Sequence, residues 1–394
     1  AGWRGSAGLG GGADPAAAGD WAEAVRVVRR ARLVLDGIVG IGGAGGLRPA
    51  AAALVREVTG TVVAVDLPSG VDADTGAVAG EAVRAALTVT FGGLKPGLLV
   101  GPGAEDAGRV RLVDIGLDLP EPGLRVLDAA DVAALVPVPG PGDDKYTRGV
   151  VGVAAGSATY PGAGVLCTGA AVRGGAGMVR YAGTAAEHVR SRWPEAVVTA
   201  GKPSEAGRVQ AWVVGPGMGT DDAAAGLLRD VLAQDVPVLV DADGLTLLAA
   251  EPDLVRRRTA PTLLTPHDRE FARIAGPVGA DRVGAARRAA ADLGVTVLLK
   301  GTATVVAEPG GRAYVNPTGT PWLATAGSGD VLSGLGGALL AGGLPAVEAG
   351  AVAAYLHGLA GTLAAHGAST TAAGVLAALP AALRAVSPRR TTRS

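Results

Sequence analysis

Short runs of β-branched and aliphatic residues alternate along this chain with Ala- and Gly-rich stretches of helical length, and that alternation constrains the fold more than any other feature. The runs LVLDGIVG (33–40), TVVAVDLPSGVD (61–72), ALTVTFGG (86–93) and RVRLVDIGL (109–117) come first. GVVGVAAGS (149–157), AWVVGPGMG (211–219) and VPVLVDADGL (236–245) continue the series. Apolar runs that end in Gly or Asp and then give way to helical stretches predict parallel α/β sheets covered on both faces.

Between the two sets, residues 118–145 dissolve into Pro, Gly and Asp, which predicts a linker. Within it LDAADVAALVP reads as a short helix with Asp128 at its N-cap. The organisation expected is a domain over 1–126, a larger one over 127–388 and a tail over 389–394. Residues 1–20 carry no periodicity and read as a loop, with a helix running from Trp21 to about Arg30.

Charge excludes whole classes of function. Thirty-five Lys and Arg against 36 Asp and Glu leave a net charge of −1, without the cation surplus that nucleic acid or an anionic membrane surface requires. Cys167 is the only cysteine, so an internal disulfide and a Cys-based zinc site are ruled out, and a reducing cytoplasm is the expected setting. The opening AGWRGSAGLGGGAD has neither the basic nor the apolar run of a signal peptide. Apolar stretches elsewhere are cut by Asp330, Glu348 or His357 before they reach the ~20 residues a membrane span needs.

The segment WLATAGSGDVLSGLGGALLAGG (322–343) carries the most chemistry. A turn of small residues precedes Asp330 and an apolar helix, and unpaired amides at a helix start favour an anion. A carboxylate there repels a resting phosphate but suits a base that takes the proton of a hydroxyl attacking a phosphoryl group. The competing reading is that Asp330 only caps the helix. Lys300, at a strand end in KGTAT, suits a diphosphate or is simply a solvated lysine.

GSGD before a Gly/Ala helix resembles the anion-hole motif of the ribokinase-like superfamily. KYTRGVVGVAAGSATYPGAGVLCTGAAVRGGAGMVR (145–180), GPGMG (215–219), VDADGL (240–245), LLTPHDREF (263–271), LLKGTATVV (298–306) and YLHGLAG (355–361) follow in the order found in ADP-dependent NAD(P)H-hydrate dehydratases. The resemblance spans roughly 127–388 and implies a ribokinase-like three-layer α/β/α domain. The front part, with LVLDGIVGIGGAGGLRP, VVAVDLPSGVDADTG and TVTFGGLKPGLLVGPG, resembles the later portion of an NAD(P)H-hydrate epimerase domain. That implies a partial Rossmann-like α/β domain; no Asn/Gly-rich phosphate loop precedes it, so epimerase activity is not expected.

The resemblance also implies roles. Asp330 is the base and contacts the hydrated nicotinamide; Ala163, Gly217 and His267 contact the same substrate, and Gly329 faces the nucleotide phosphate. Lys300, Gly301, Thr302, Ala303 and Thr304 form the nucleotide loop. In the front part Asp36 and Ser69 are ligands of K+, and Asp66 with the turn Gly40, Ile41, Gly42, Gly43, Ala44, Gly45 and Gly46 contacts substrate. Ordinary structure accounts for each equally simply: a hydrogen-bonded His267, tight turns at Ala163 and Gly217, strand-end carboxylates at Asp36 and Asp66. The implied activity is repair of (S)-NAD(P)H-hydrate by phosphorylation with ADP and Mg2+ followed by loss of phosphate, in a homo-oligomer. The rivals are a ribokinase-like small-molecule kinase and a non-catalytic dinucleotide-binding protein.

Overall fold

The computed structural model describes residues 19–42, 45–199 and 201–387, so Gly43, Ala44 and the tail over 389–394 lie outside the described residues. The chain divides into two compact units between Pro120 and Glu121.

The first unit holds a four-stranded, wholly parallel sheet of β1 (Leu33–Asp36), β2 (Thr61–Val65), β3 (Leu87–Phe91) and β4 (Arg109–Val113), in that spatial order. Helices Gly19–Arg30, Pro49–Val55 and Gly101–Asp106 lie between or before the strands. The strands were expected to be covered on both faces. Instead β2 and β3 are buried at alternate positions, and Leu33 and Leu35 of β1 are exposed. Period-two burial means that one face of this sheet is covered within the unit.

The second unit is built on ten strands in the order β5-β14-β13-β12-β11-β10-β9-β6-β7-β8. They are β5 (Leu124–Arg125), β6 (Val150–Ala154), β7 (Met178–Ala182), β8 (Val197–Thr199), β9 (Ala211–Val214), β10 (Val238–Val240), β11 (Thr262–Leu264), β12 (Thr296–Leu299), β13 (Thr304–Ala307) and β14 (Ala313–Asn316). From β8 to β12 all neighbours run parallel, and β12, β13 and β14 are joined antiparallel. Every residue of β6, β9, β10, β11 and β12 is buried, as apolar strands between two helical layers must be. The stretch read as linker contributes β5, which pairs with β14, so the units part ahead of position 126. Asp128 does cap helix Ala129–Leu135, accepting from the amides of Ala130 and Asp131.

Strand order reverses beside β6: the chain runs from β6 outward to β7 and β8, then returns to place β9 on the other side. The carboxyl ends of strands flanking such a reversal open a crevice where ligands bind in α/β sheets. Helix Ser328–Ala341 is buried along its length and packs on helix Pro161–Arg173. Gly334 makes the approach possible, because a Cβ there would collide with the Cys167 carbonyl.

Candidate active site

The carboxyl ends of β10, β11 and β12 deliver Asp241, His267 and Lys300 to one rim. Lys300 Nζ donates to Asp241 Oδ1 at 2.8 Å and lies 3.7 Å from Glu270 Oε2. The Ser333 hydroxyl, one turn into helix Ser328–Ala341, donates to Asp241 Oδ2 at 2.7 Å. Both oxygens of a buried carboxylate are thereby satisfied, as its burial demands. Burial alone pulls the Lys300 ammonium down, but Asp241, Glu270 and Asp330 outweigh it and hold its pKa above the usual lysine range.

Asp330 stands in the first turn of helix Ser328–Ala341. The capping reading is corrected here: the N-cap is Gly327, and no side chain makes a cap hydrogen bond. Burial and the neighbouring Asp241 push the Asp330 carboxyl up to about 6, against the pull of Lys300. Burial, Asp330 and Asp241 also hold the Cys167 thiol well above its usual pKa, which leaves it an inert, packed group.

At the strand reversal, Gly156 donates to the Pro216 carbonyl at 2.7 Å and ties the loop after β6 to the loop after β9. Gly217 has φ +60, and a Cβ there would stand 2.7 Å from Ala163 Cβ. Ala163 and Gly217 are thus brought together by the fold. His267 is held as the N-cap of helix Asp268–Ala275, its Nδ1 accepting from the amides of Arg269 and Glu270 while Glu270 accepts from the His267 amide. Its side chain is half exposed, with Nε2 3.6 Å from Glu270 Oε1. Gly301 and Thr302 are exposed, Ala303 is buried and Thr304 opens β13, so the loop projects from the rim. Arg282 braces it by donating to the Lys300 carbonyl and to Asp268.

The sequence reading had not singled out Asp241, Ser333 or Arg282. VDADGL was visible as a motif, but what marks it as special, Ala242 at φ +50, a rare conformation for a residue with a Cβ, exists only in the folded chain.

In the first unit, Asp36 and Ser69 come together: the Ser69 hydroxyl donates to Asp36 Oδ1 at 2.7 Å and its amide to Oδ2 at 2.8 Å. Asp66 makes a separate cluster, accepting from Lys95 Nζ at 2.6 Å, Thr90 and the Phe91 amide. Although its burial acts the other way, these donors hold the Asp66 carboxyl below the usual range. Gly40, Gly42, Gly45, Gly46 and Ser69 line a cavity of about 590 Å³, and Ile41 is exposed beside it. Among the described residues no group of three or more His, Cys, Asp or Glu converges on a metal position. No described helix is long and apolar enough to cross a membrane.

Residues 151–380 match the NAD(P)H-hydrate dehydratase family, and residues 12–97 match the YjeF-related protein N-terminus. The chain belongs to the NAD(P)H-hydrate dehydratase family. The bifunctional NAD(P)H-hydrate repair enzyme Nnr of Mycobacterium leprae is 62% identical over 329 residues, covering 82% of this chain and 68% of that enzyme. Its counterpart in Mycobacterium tuberculosis is 64% identical over 323 residues, covering 81% and 67%. This dehydratase family member therefore spans about two thirds of those relatives. The ADP/ATP-dependent NAD(P)H-hydrate dehydratase from Bacillus subtilis, co-crystallised with ATP and Mg2+, superposes with a TM-score of 0.60 at 28% identity, covering 66% of this chain and 98% of that one. A ribokinase-like superfamily protein from Enterococcus faecalis reaches 0.62 at 27% identity, covering 69% and 99%. The expected ribokinase-like architecture is the one found.

Proposed function

We propose that the second unit dehydrates (S)-NAD(P)H-hydrate at the expense of ADP, with Asp330 as general base. The observation that carries this reading is the position of Asp330: a carboxyl with its pKa raised to about 6, at the open start of a helix. A base of that strength is ionised at neutral pH yet still accepts a proton readily. Asp330 takes the proton of the substrate hydroxyl as its oxygen bonds to the β-phosphorus of ADP and the bond to the α-phosphate oxygen breaks, releasing AMP. The ring nitrogen lone pair then expels phosphate by breaking the carbon–oxygen bond, and loss of a ring proton restores the dihydronicotinamide.

Amides of the 326–329 turn other than that of Ser328, which donates to the Thr325 carbonyl, and the Lys300 ammonium stabilise the charge of the transferring phosphoryl group. Thr302 and Thr304 add hydroxyls at the nucleotide loop. Both oxygens of Asp241 are taken by Lys300 and Ser333, so Mg2+ would be held chiefly by the nucleotide phosphates, in the manner usual for phosphate sites. When bound, Mg2+ neutralises negative charge on those phosphates. Ala163 and Gly217, small and close together at the strand reversal, leave room for the dinucleotide, and the half-exposed ring of His267 meets it.

In the first unit the hydroxyl of Ser69 and the carboxylate of Asp36 are hard oxygen donors that suit K+. Gly40, Gly42, Gly45 and Gly46, which line the cavity with Ser69, would contact a hydrated dinucleotide there, and Asp66 would contact it from its own cluster. The test of the whole reading is incubation with hydrated NADH and ADP, following nicotinamide absorbance together with AMP and phosphate. Recovery of absorbance with equal yields of both products is expected. Accumulation of a phosphorylated dinucleotide without recovery makes the protein a kinase and overturns the reading.

A further inference from the structure

His357 lies in the middle of helix Ala346–Ala365 and belongs to none of the groups assigned above. It is buried, and its Nε2 stands 3.0 Å from the Ser328 carbonyl oxygen and 3.2 Å from the Ser328 hydroxyl. A carbonyl only accepts, so Nε2 carries the proton. Burial lowers the imidazole pKa to about 4, which keeps the ring neutral, with that one proton, at ordinary pH.

The backbone behind the ring is itself clasped. Asn316 Nδ2 donates to the Ala354 carbonyl at 3.1 Å, and the Thr318 hydroxyl, 3.3 Å from the Tyr355 carbonyl, donates to Asn316 Oδ1 at 2.8 Å and steadies that amide. His357 is therefore a fixed point, and the residue it touches is the first of helix Ser328–Ala341.

A trans peptide is planar, with its C=O and the following N–H directed oppositely. Fixing the Ser328 carbonyl consequently fixes the direction of the Gly329 amide. That amide sits in the first helical turn, where no carbonyl four residues back accepts it, and a Cβ on Gly329 would stand 3.6 Å from Lys300 Nζ. We infer that His357 is a positioning residue: its Nε2–H locks the 328–329 peptide so that the Gly329 amide and the Asp330 carboxylate present themselves to the phosphoryl group. The inference rests on the dehydratase reading for its chemistry, but its geometry concerns any phosphate bound at this turn.

The experiment compares His357→Gln, His357→Asn and His357→Leu with the wild-type chain. Gln carries an N–H donor about as far as Nε2 reaches; Asn stops a bond short, and Leu has no donor. Equilibrium binding of ADP is measured by calorimetry, kcat and KM for hydrated NADH with saturating ADP, and the thermal midpoint of each variant. Loss of the lock is expected to weaken ADP binding about tenfold in the Asn and Leu variants, part of what a hydrogen bond to a charged group is worth. Their kcat should fall about a hundredfold, the scale of a misplacement near 1 Å, with KM for hydrated NADH within about threefold. Gln should recover most of both losses.

A positioning role is overturned if Asn and Leu keep ADP affinity and kcat within about threefold below their unfolding midpoints. It is equally overturned if Gln loses ADP affinity as they do, because the defect is then one of packing. Should the Leu variant not fold, the Gln and Asn pair decides alone. If the wild type binds ADP but does not turn over hydrated NADH, the dehydratase reading falls while the ADP series still decides the role of His357. If the wild type does not bind ADP, both fall.

Discussion

Lys300 Nζ is hydrogen-bonded to Asp241 Oδ1 at 2.8 Å, an ammonium one-fifth exposed against a carboxylate only 2% exposed. The pair spans the ends of β12 and β10, on either side of β11. Because Asp241 is also held by Ser333, the ammonium is aimed at the start of the Asp330 helix before any ligand arrives. Such pre-alignment removes part of the ordering cost of binding a diphosphate.

Replacing Lys300 with Ala should therefore weaken ADP binding by ~1–3 kcal/mol, the range for a hydrogen bond to a charged group. Affinity for the hydrated dinucleotide should change much less. Calorimetric titration with each ligand separately checks this, and equal losses for both would place Lys300 in a shared site.

Asp330→Asn should lower turnover by ~10²–10⁴, the usual cost of removing a general base, while ADP binding largely survives. Retention of more than about a third of wild-type turnover rules Asp330 out as the base.

The raised pKa of Asp330 also has a sign in stability. Folded, the carboxyl titrates at about 6, against an ordinary value of 3.8. Between those values the folded protein binds more protons than the unfolded chain, so this group's contribution to stability falls as pH rises through the window. Above about pH 6 the full penalty applies, on the order of 2–3 kcal/mol. Asp330→Asn should then be more stable than wild type at about pH 8, with the difference vanishing at about pH 4. Denaturant midpoints at the two pH values measure it. The kcat/KM of the wild type, which reports the ligand-free protein, should rise with pH and reach half its plateau near 6.

Gly217→Ala should destabilise the second unit by ~1–2 kcal/mol, because φ +60 strains a residue with a Cβ and Ala163 occupies the space. The same change narrows the strand-reversal crevice, so KM for the hydrated dinucleotide should rise more than the Kd of ADP. An unchanged midpoint and KM would show that the turn relaxes freely.

What this chain determines locally was legible in order of residues alone. The apolar runs that became β6, β9 and β10 are short, rich in β-branched residues and bounded by Gly or Asp, and those local marks distinguish a strand. Asp128 as a cap was legible for the same reason: the amides it accepts from are two and three residues away. The turn of small residues before Asp330 pointed to an anion site, yet whether Asp330 caps the helix was open until tertiary structure placed Gly327 at the cap. The strands β5 and β8 went unread because no extended apolar run bounded by Gly or Asp surrounds them; each is held as a strand by its neighbour, β14 or β7. Asp241 meets Lys300 and Ser333 from 59 and 92 positions away in sequence, a convergence set by strand order, on which local propensity is silent. The same holds for the acidity of Asp330, since the burial and neighbouring charge that raise its pKa exist only once those distant segments have packed around it.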